Sequence, residues 1–189
     1  MTESEAGGPR RADARRNREA LLDAAAAAFV AGGVEAPVRE IATRAGVGVG
    51  TIYRHFPTRA DLVIAVYRHQ VDACADAVDD LLSTSGSAHD ALASWIDLFV
   101  GFLVTKHGLA AALQADGSGF EALHAYFLDR LVPACTRLLD AAVASGEVHD
   151  DLDALHLLRA VGNLCIGADA AYDPRRPIDV LLTGLRRAR

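Results

Sequence analysis

Apolar and polar positions between Val38 and Phe56, in VREIATRAGVGVGTIYRHF, follow the spacing of two short helices joined by a tight turn. Ile41 and Ala45 give the first helix an inward face, and Val47, Ile52 and Phe56 do the same for the turn and the second helix. Ala42 is small enough for the second helix to cross close over the first. Gly46 falls where the chain must reverse, in a backbone region with φ > 0 that glycine adopts at little cost. What remains outward on the second helix is Val49, Gly50, Thr51, Tyr53, Arg54 and His55. That face is small, polar and partly basic, which suits a DNA major groove. An ordinary surface hairpin would show the same periodicity.

The same reading orders the rest of the chain. Residues 1–12 are polar and predict a disordered arm, either touching phosphate through Arg10 and Arg11 or merely solvated. Asp13 to Ala31 predicts a first helix with Leu21, Leu22, Ala25, Ala28 and Phe29 inward, ended by Gly32 and Gly33. Arg15, Arg16 and Arg18 sit at its expected start, where positive charge opposes the helix dipole and an external anion would compensate. Pro37 opens the two-helix unit, and Gly48 stands at the N-cap of its second helix. Thr58 and Asp61 form a capping box for a long helix expected to reach about Leu82, with Leu62, Val63, Val66 and Tyr67 inward. Such a helix can act as a lever between two parts of the molecule. Ser83 to Ala88 reads as a loop. Helices are then expected over His89 to Val104, Gly108 to Ala115, and Phe120 to Ser145, the last kinked at Pro133 and stopped by Gly146. Asp151 or Asp153 caps a helix reaching about Ala171, and Ile178 to Arg187 is the last. No stretch has a strand pattern, so the predicted fold is all-α.

Composition sharpens this picture. The 189 residues are 51% hydrophobic, much of it alanine, which favours closely packed helices with apolar surface left for a partner chain. The net charge of −6 is unevenly spread: residues 1–68 carry ten arginines against eight acids, and the remainder nine basic residues against seventeen acids. This fits a basic reading head on an acidic body. Cys74, Cys135 and Cys165 are far apart, which argues against a disulfide framework and a zinc finger, and reads as buried structural thiols. No apolar signal core or membrane span is evident, so the expected location is cytoplasmic.

Chemical motifs are sparse. Gly46, Gly48 and Gly50 do not form a phosphate-cradling loop, because EIATRAG before them is helical in period and such a loop needs a preceding strand. His149 and His156 are the best metal candidates, yet the helix start between them keeps them off one face; no metal site and no cofactor is expected. No nucleophile, acid/base pair or nucleotide-binding run occurs in a suitable context, so no enzymatic activity is expected. Trp95, Phe99, Phe102, Phe120, Tyr126 and Phe127 form stripes that serve equally as core or as pocket lining.

The run AGVGVGTIYRHFPTRADL resembles the DNA-binding signature of the TetR family of transcriptional regulators, through Gly46, Gly50, Thr51, Ile52, Tyr53, His55, Phe56, Arg59 and Leu62. The resemblance covers about the first third of the chain. It departs at Pro37, where the family more often has a capping threonine, and at Gly48, where serine is usual. It implies a helix-turn-helix domain over residues 13–74, with the motif at 37–56, and a helical effector-binding and dimerisation domain over 75–189. It implies DNA contacts from Arg39, Val49, Gly50, Thr51, Tyr53, Arg54 and His55, with a phosphate contact from Arg59. It implies a homodimer on a near-palindromic double-stranded operator, paired through the last two helices at Leu158, Val161, Leu164, Cys165, Leu181 and Leu185. It also implies a small-molecule effector inside the body, for which Trp95, Phe99, Phe102, Tyr126, Phe127 and Asn163 are the candidate lining. The expected activity is repression relieved by that effector; the alternative is a ligand-independent or activating regulator of the same fold.

Overall fold

A computed structural model describes residues 8–105, 117–166 and 171–187. The expected helix over Gly108 to Ala115 lies outside the described residues. Among the described residues nine helices follow one another: α1 (Gly8–Gly32), α2 (Val38–Ala45), α3 (Val49–His55), α4 (Arg59–Asp76), α5 (Val78–Thr84), α6 (Ala88–Thr105), α7 (Gly117–Ala144), α8 (Ala154–Leu164) and α9 (Arg175–Gly184). Among the described residues no strand occurs; Val148 and Arg186 make one isolated antiparallel bridge. No described helix is long and apolar enough to cross a membrane.

Helix α1 starts five residues before the expected Asp13, so part of the expected arm is helical. A proline in the first turn removes no intrahelical hydrogen bond, and the exposed pairs Arg16–Asp13 and Arg15–Glu19 lie one turn apart along the helix. Arg15, Arg16 and Arg18 therefore stand two turns inside the helix, and the dipole argument for an anion at its start lapses.

The turns use the residues the pattern singled out. Gly46 closes α2 at φ 67°, with the Val47 N–H donating to Ala42 O at 3.0 Å and the Gly46 N–H to Thr43 O at 3.3 Å. Gly48 stands at the N-cap of α3 in extended geometry. Thr58 and Asp61 cap α4 reciprocally: Thr58 Oγ1 accepts from the Asp61 N–H at 3.1 Å, and Asp61 Oδ2 accepts from the Thr58 N–H at 3.0 Å. Asp153 caps α8 by accepting from the His156 N–H at 2.9 Å.

The long helix expected to reach Leu82 breaks at Ala77 into α4 and α5. The Trp95 indole N–H donates to Cys74 O at 2.7 Å, and that carbonyl is the one an unbroken helix would offer to the Val78 N–H. Helix α7 runs through Pro133. Leu21, Leu22, Ala25, Ile41, Ala42, Ile52 and Phe56 form the buried centre of the N-terminal helices. Val71 and Val78 continue the core into the body, where Leu92, Trp95, Ile96, Leu131, Leu138 and Leu157 are fully buried. Burial raises the Cys74 thiol to about 11 and the Cys135 thiol to about 12, which suits packed rather than reactive sulfur.

Glu147 ties three loops together. Its carboxylate accepts from the His89 N–H at 3.0 Å at the start of α6, while its backbone carbonyl accepts from the Arg187 N–H at 2.9 Å. The hydrogen bonds from His89, Ser145 and Ser87 hold its pKa at about 2.

Gly46→Ala forces an L side chain into left-handed backbone and lowers the unfolding free energy by about 1–2 kcal/mol in urea titration. Glu147→Gln lowers the melting temperature at pH 7. Because the Glu147 pKa is depressed on folding, the wild-type advantage is complete above the ordinary value of 4.5 and disappears as pH falls through about 2. Melting curves of the two proteins across that range measure it.

Candidate nucleic-acid interface

The interface is built on one short helix with two unlike faces. Ile52 is 1% exposed and Phe56 4% exposed, both packed into the N-terminal core, and the Arg18 guanidinium lies over the Phe56 ring at 5.5 Å. With those two side chains fixed, the opposite face of α3 must point outward. Tyr53 is half exposed, Arg54, His55 and Gly50 are exposed, and Thr51 and Val49 are partly covered. Arg54 Nη2 donates to Thr51 Oγ1 at 3.0 Å, so the guanidinium is parked along the helix until a stronger acceptor arrives. Arg39, at the start of α2, is exposed. Gly50 has no heavy atom within 4 Å of where a Cβ would stand, so the backbone there is open to close approach. Seven of the eight expected DNA-facing residues thus lie on α3 or at the exposed start of α2, although Val49 also packs partly against the core.

Arg59 is the exception. Its guanidinium points inward: Nε donates to Val34 O at 2.9 Å, Nη2 donates to Ala36 O at 2.7 Å and also contacts Val34 O, and the group lies over the Phe29 ring at 5.0 Å. Burial lowers its pKa, while Glu35 and Tyr53 oppose that shift. These contacts satisfy the carbonyls of the α1–α2 loop and fasten α4 to it. A guanidinium already spent on two carbonyls is a strut for the head. The resemblance implies a phosphate contact for Arg59, and nothing in the sequence signals the loop carbonyls 23 and 25 residues away.

The body residues separate into groups. Trp95, Phe99, Phe102 and Phe127 do come together, as a packed aromatic layer with neighbouring centroids 5.8–6.3 Å apart. Tyr67 of α4 joins it edge-on to Phe102 at 5.1 Å. Tyr126 leaves that group: its hydroxyl donates to Asp72 Oδ1 of α4 at 2.6 Å. Asn163 is exposed on α8. Of the expected interface residues, Leu158, Val161, Cys165 and Leu185 are buried within the protomer and Leu164 and Leu181 are half-buried. The apolar side chains left outward near them are Leu155, Ile166 and Val180, at 42, 72 and 71% exposure. His156 Nδ1 pairs with Asp153 Oδ2 at 2.7 Å, and no cluster of three metal-ligating side chains occurs among the described residues.

Sequence reasoning missed one arrangement outright. Asp72 and Asp76 of α4 grip Arg130 of α7 at 2.9 and 3.0 Å, and Asp79 of α5 pairs with Arg137. These contacts join the helix that leaves the head to the longest helix of the body. The available signal was acids at 72, 76 and 79 facing arginines at 130 and 137, each series at helical spacing.

The strut role of Arg59 is separable from a phosphate contact. Arg59→Met lowers the melting temperature of the free protein and leaves the slope of log K against log salt for DNA binding unchanged. A phosphate contact would instead reduce that slope by about 0.9.

The family model for bacterial regulatory proteins of the tetR family matches residues 21–66, and that for the C-terminal domain of SbtR-like transcriptional regulators matches residues 87–187. A TetR transcriptional regulator of Streptomyces coelicolor, SCO0520, superposes with a TM-score of 0.78 at 32% identity, covering 91% of this chain and 99% of that one. A TetR transcription regulatory protein of Mycobacterium vanbaalenii gives 0.69 at 36% identity, covering 95% and 100%. The HTH-type transcriptional repressor KstR of Mycolicibacterium smegmatis is 26% identical over 187 residues, covering 93% of this chain and 84% of its own. With matched regions at both ends, an all-helical fold and an outward-facing α3, the chain belongs to the TetR family and is a DNA-binding transcriptional regulator.

Proposed function

We propose that the protein is a homodimeric repressor whose α3 helices read the two halves of a near-palindromic operator, and whose body takes a small-molecule effector that releases the DNA. The observation that carries the DNA half of this reading is the two-faced α3, with Ile52 and Phe56 buried and Thr51, Tyr53, Arg54 and His55 outward. In the bound state Arg54 leaves Thr51 for a phosphate or a guanine edge, Thr51 meets a base methyl or a phosphate, and Tyr53 fixes the backbone position. Arg39 supplies a further contact from α2. Two heads set about 34 Å apart would enter successive major grooves on one side of the duplex.

The pairing surface in this reading is the outward stripe of α8 and α9 rather than the buried residues on their inner faces. Leu155, Arg159, Gly162 and Ile166 recur at helical spacing along α8 and its C-terminus, and Arg176, Val180 and Gly184 along α9. Gly162 and Gly184 have nothing within 4 Å of a Cβ position, which leaves room for a second chain to approach closely. Exposed Ile166 and Val180 are unfavourable to solvate and become buried on pairing.

For the effector, the reading rests on the aromatic layer between α6 and α7. That layer reaches α4 through Tyr67, so an occupant that parts Phe102 from Phe127 displaces Tyr67 and the helix that carries the head. Effector and DNA then weaken each other by the same factor.

Tyr53→Ala should abolish retardation of operator DNA in a gel shift while the protein stays dimeric and melts as the wild type does; unchanged affinity would remove α3 as the reading element. Val180→Glu, placing a charge in the pairing stripe, should convert the dimer to a monomer in light scattering and weaken operator binding at least tenfold.

A further inference from the structure

An open cleft of about 930 Å3 runs along α4 where the head meets the body, between α1, the end of α3 and α7. Its charged lining is mostly self-satisfied. Arg15 faces Glu19 at 3.5 Å, Arg130 is held by Asp72 and Asp76, and His69 pairs at 2.7 Å with Asp23 beside the cleft. Asp61 is engaged in the cap of α4. Arg18 of α1 and Arg68 of α4 differ from these. Among the described residues neither guanidinium makes an ion pair or a hydrogen bond. Each lies over an aromatic ring instead, Arg18 over Phe56 at 5.5 Å and Arg68 over Tyr126 at 5.2 Å. A guanidinium resting on a ring is oriented through its face, while its N–H edge stays free to grip an oxyanion bidentately. The Tyr126 ring is itself tethered by its hydroxyl to Asp72, so the support under Arg68 is fixed. Ile64, Ala65, Ala73 and Pro57 supply apolar surface in the same cleft.

We infer that this cleft is a second ligand site, distinct from the aromatic layer of the body, for a small organic oxyanion. Its carboxylate or phosphate group sits between Arg18 and Arg68, and its ring or short apolar part lies against Ile64 and Ala65. The site spans α1 in the head and α7 in the body, so an occupant links the two across α4.

The test uses the full-length protein without DNA, so that it stands apart from the operator and effector reading. Phenyl phosphate, benzoate and inorganic phosphate are titrated separately by calorimetry and thermal shift, at ionic strength held constant with sodium chloride. The expected result is saturable binding of phenyl phosphate or benzoate, tighter than inorganic phosphate; which of the two binds better identifies the phosphate or the carboxylate as the head group. Arg18→Gln and Arg68→Gln each weaken that binding by about tenfold or more. Ala73→Trp, which fills the cleft and leaves both arginines in place, abolishes it while the circular dichroism spectrum is unchanged. Absence of saturable binding by all three probes overturns the inference. So does binding that survives unaltered in Arg68→Gln or in Ala73→Trp.

Discussion

The burial of Ile52 and Phe56 in the N-terminal core, with α3 against α2 and Arg18 of α1 over Phe56, is the constraint on which the rest of this molecule depends. Helix α3 has seven residues, too few to be stable alone in water, so its existence and its orientation both come from tertiary packing. Truncating a buried isoleucine of this kind costs about 2–5 kcal/mol, a large share of the stability of a small helical unit. That packing leaves Thr51, Tyr53, Arg54 and His55 no direction but outward. Ala42 permits the close crossing and Gly46 the reversal that brings α3 over α2. Arg59 then secures the assembly by satisfying the Val34 and Ala36 carbonyls, which a connecting loop would otherwise leave to solvent.

A rigid reading face is useful to a regulator only if its position can be changed from elsewhere. Helix α4 is joined to the head by the Arg59 strut and by His69, paired with Asp23 of α1. The Thr58–Asp61 cap is internal to α4. The helix is joined to the body by Tyr67 in the aromatic layer, by the Trp95–Cys74 hydrogen bond, and by the Asp72 and Asp76 pairs with Arg130. The break at Ala77 confines the helix to the distance between those two sets of contacts. Exposed ion pairs such as these are worth only a few tenths of a kcal/mol to about 1 kcal/mol each. They therefore hold a position without locking it, whereas the buried Trp95 bond and the aromatic layer set which positions are available.

Much of this was legible in the sequence, because local rules govern it. Gly46, Gly48, Thr58–Asp61, Asp153 and Gly146 each announce a turn or a cap through their own backbone chemistry, and each does that job in the fold. Apolar spacing found the inward faces of α1 to α4 and the outward residues of α3. Features that depend on partners distant in sequence were not legible. The inward turn of Arg59 depends on loop carbonyls more than twenty residues away, and the break at Ala77 on an indole from α6. Tyr126 was grouped with Phe127 because both are aromatic neighbours, yet adjacent helical residues point about 100° apart, and Asp72 claims the tyrosine. The resemblance implies pairing through α8 and α9; of the residues it points to, Leu158, Val161, Cys165 and Leu185 are covered by the body, Leu164 and Leu181 are half-buried, and the exposed apolar side chains nearby are Leu155, Ile166 and Val180.

The central claim is that α3, held by this packing and presented twice by a dimer, reads a specific DNA sequence. The most direct measurement is selection of random duplex DNA by the purified wild-type protein at moderate salt, followed by sequencing of the retained pool. The account predicts an enriched near-palindrome whose half-sites are centred about one helical turn, or a multiple of one, apart. A retained pool with no sequence enrichment, bound only in a salt-sensitive and uniform way, would contradict it.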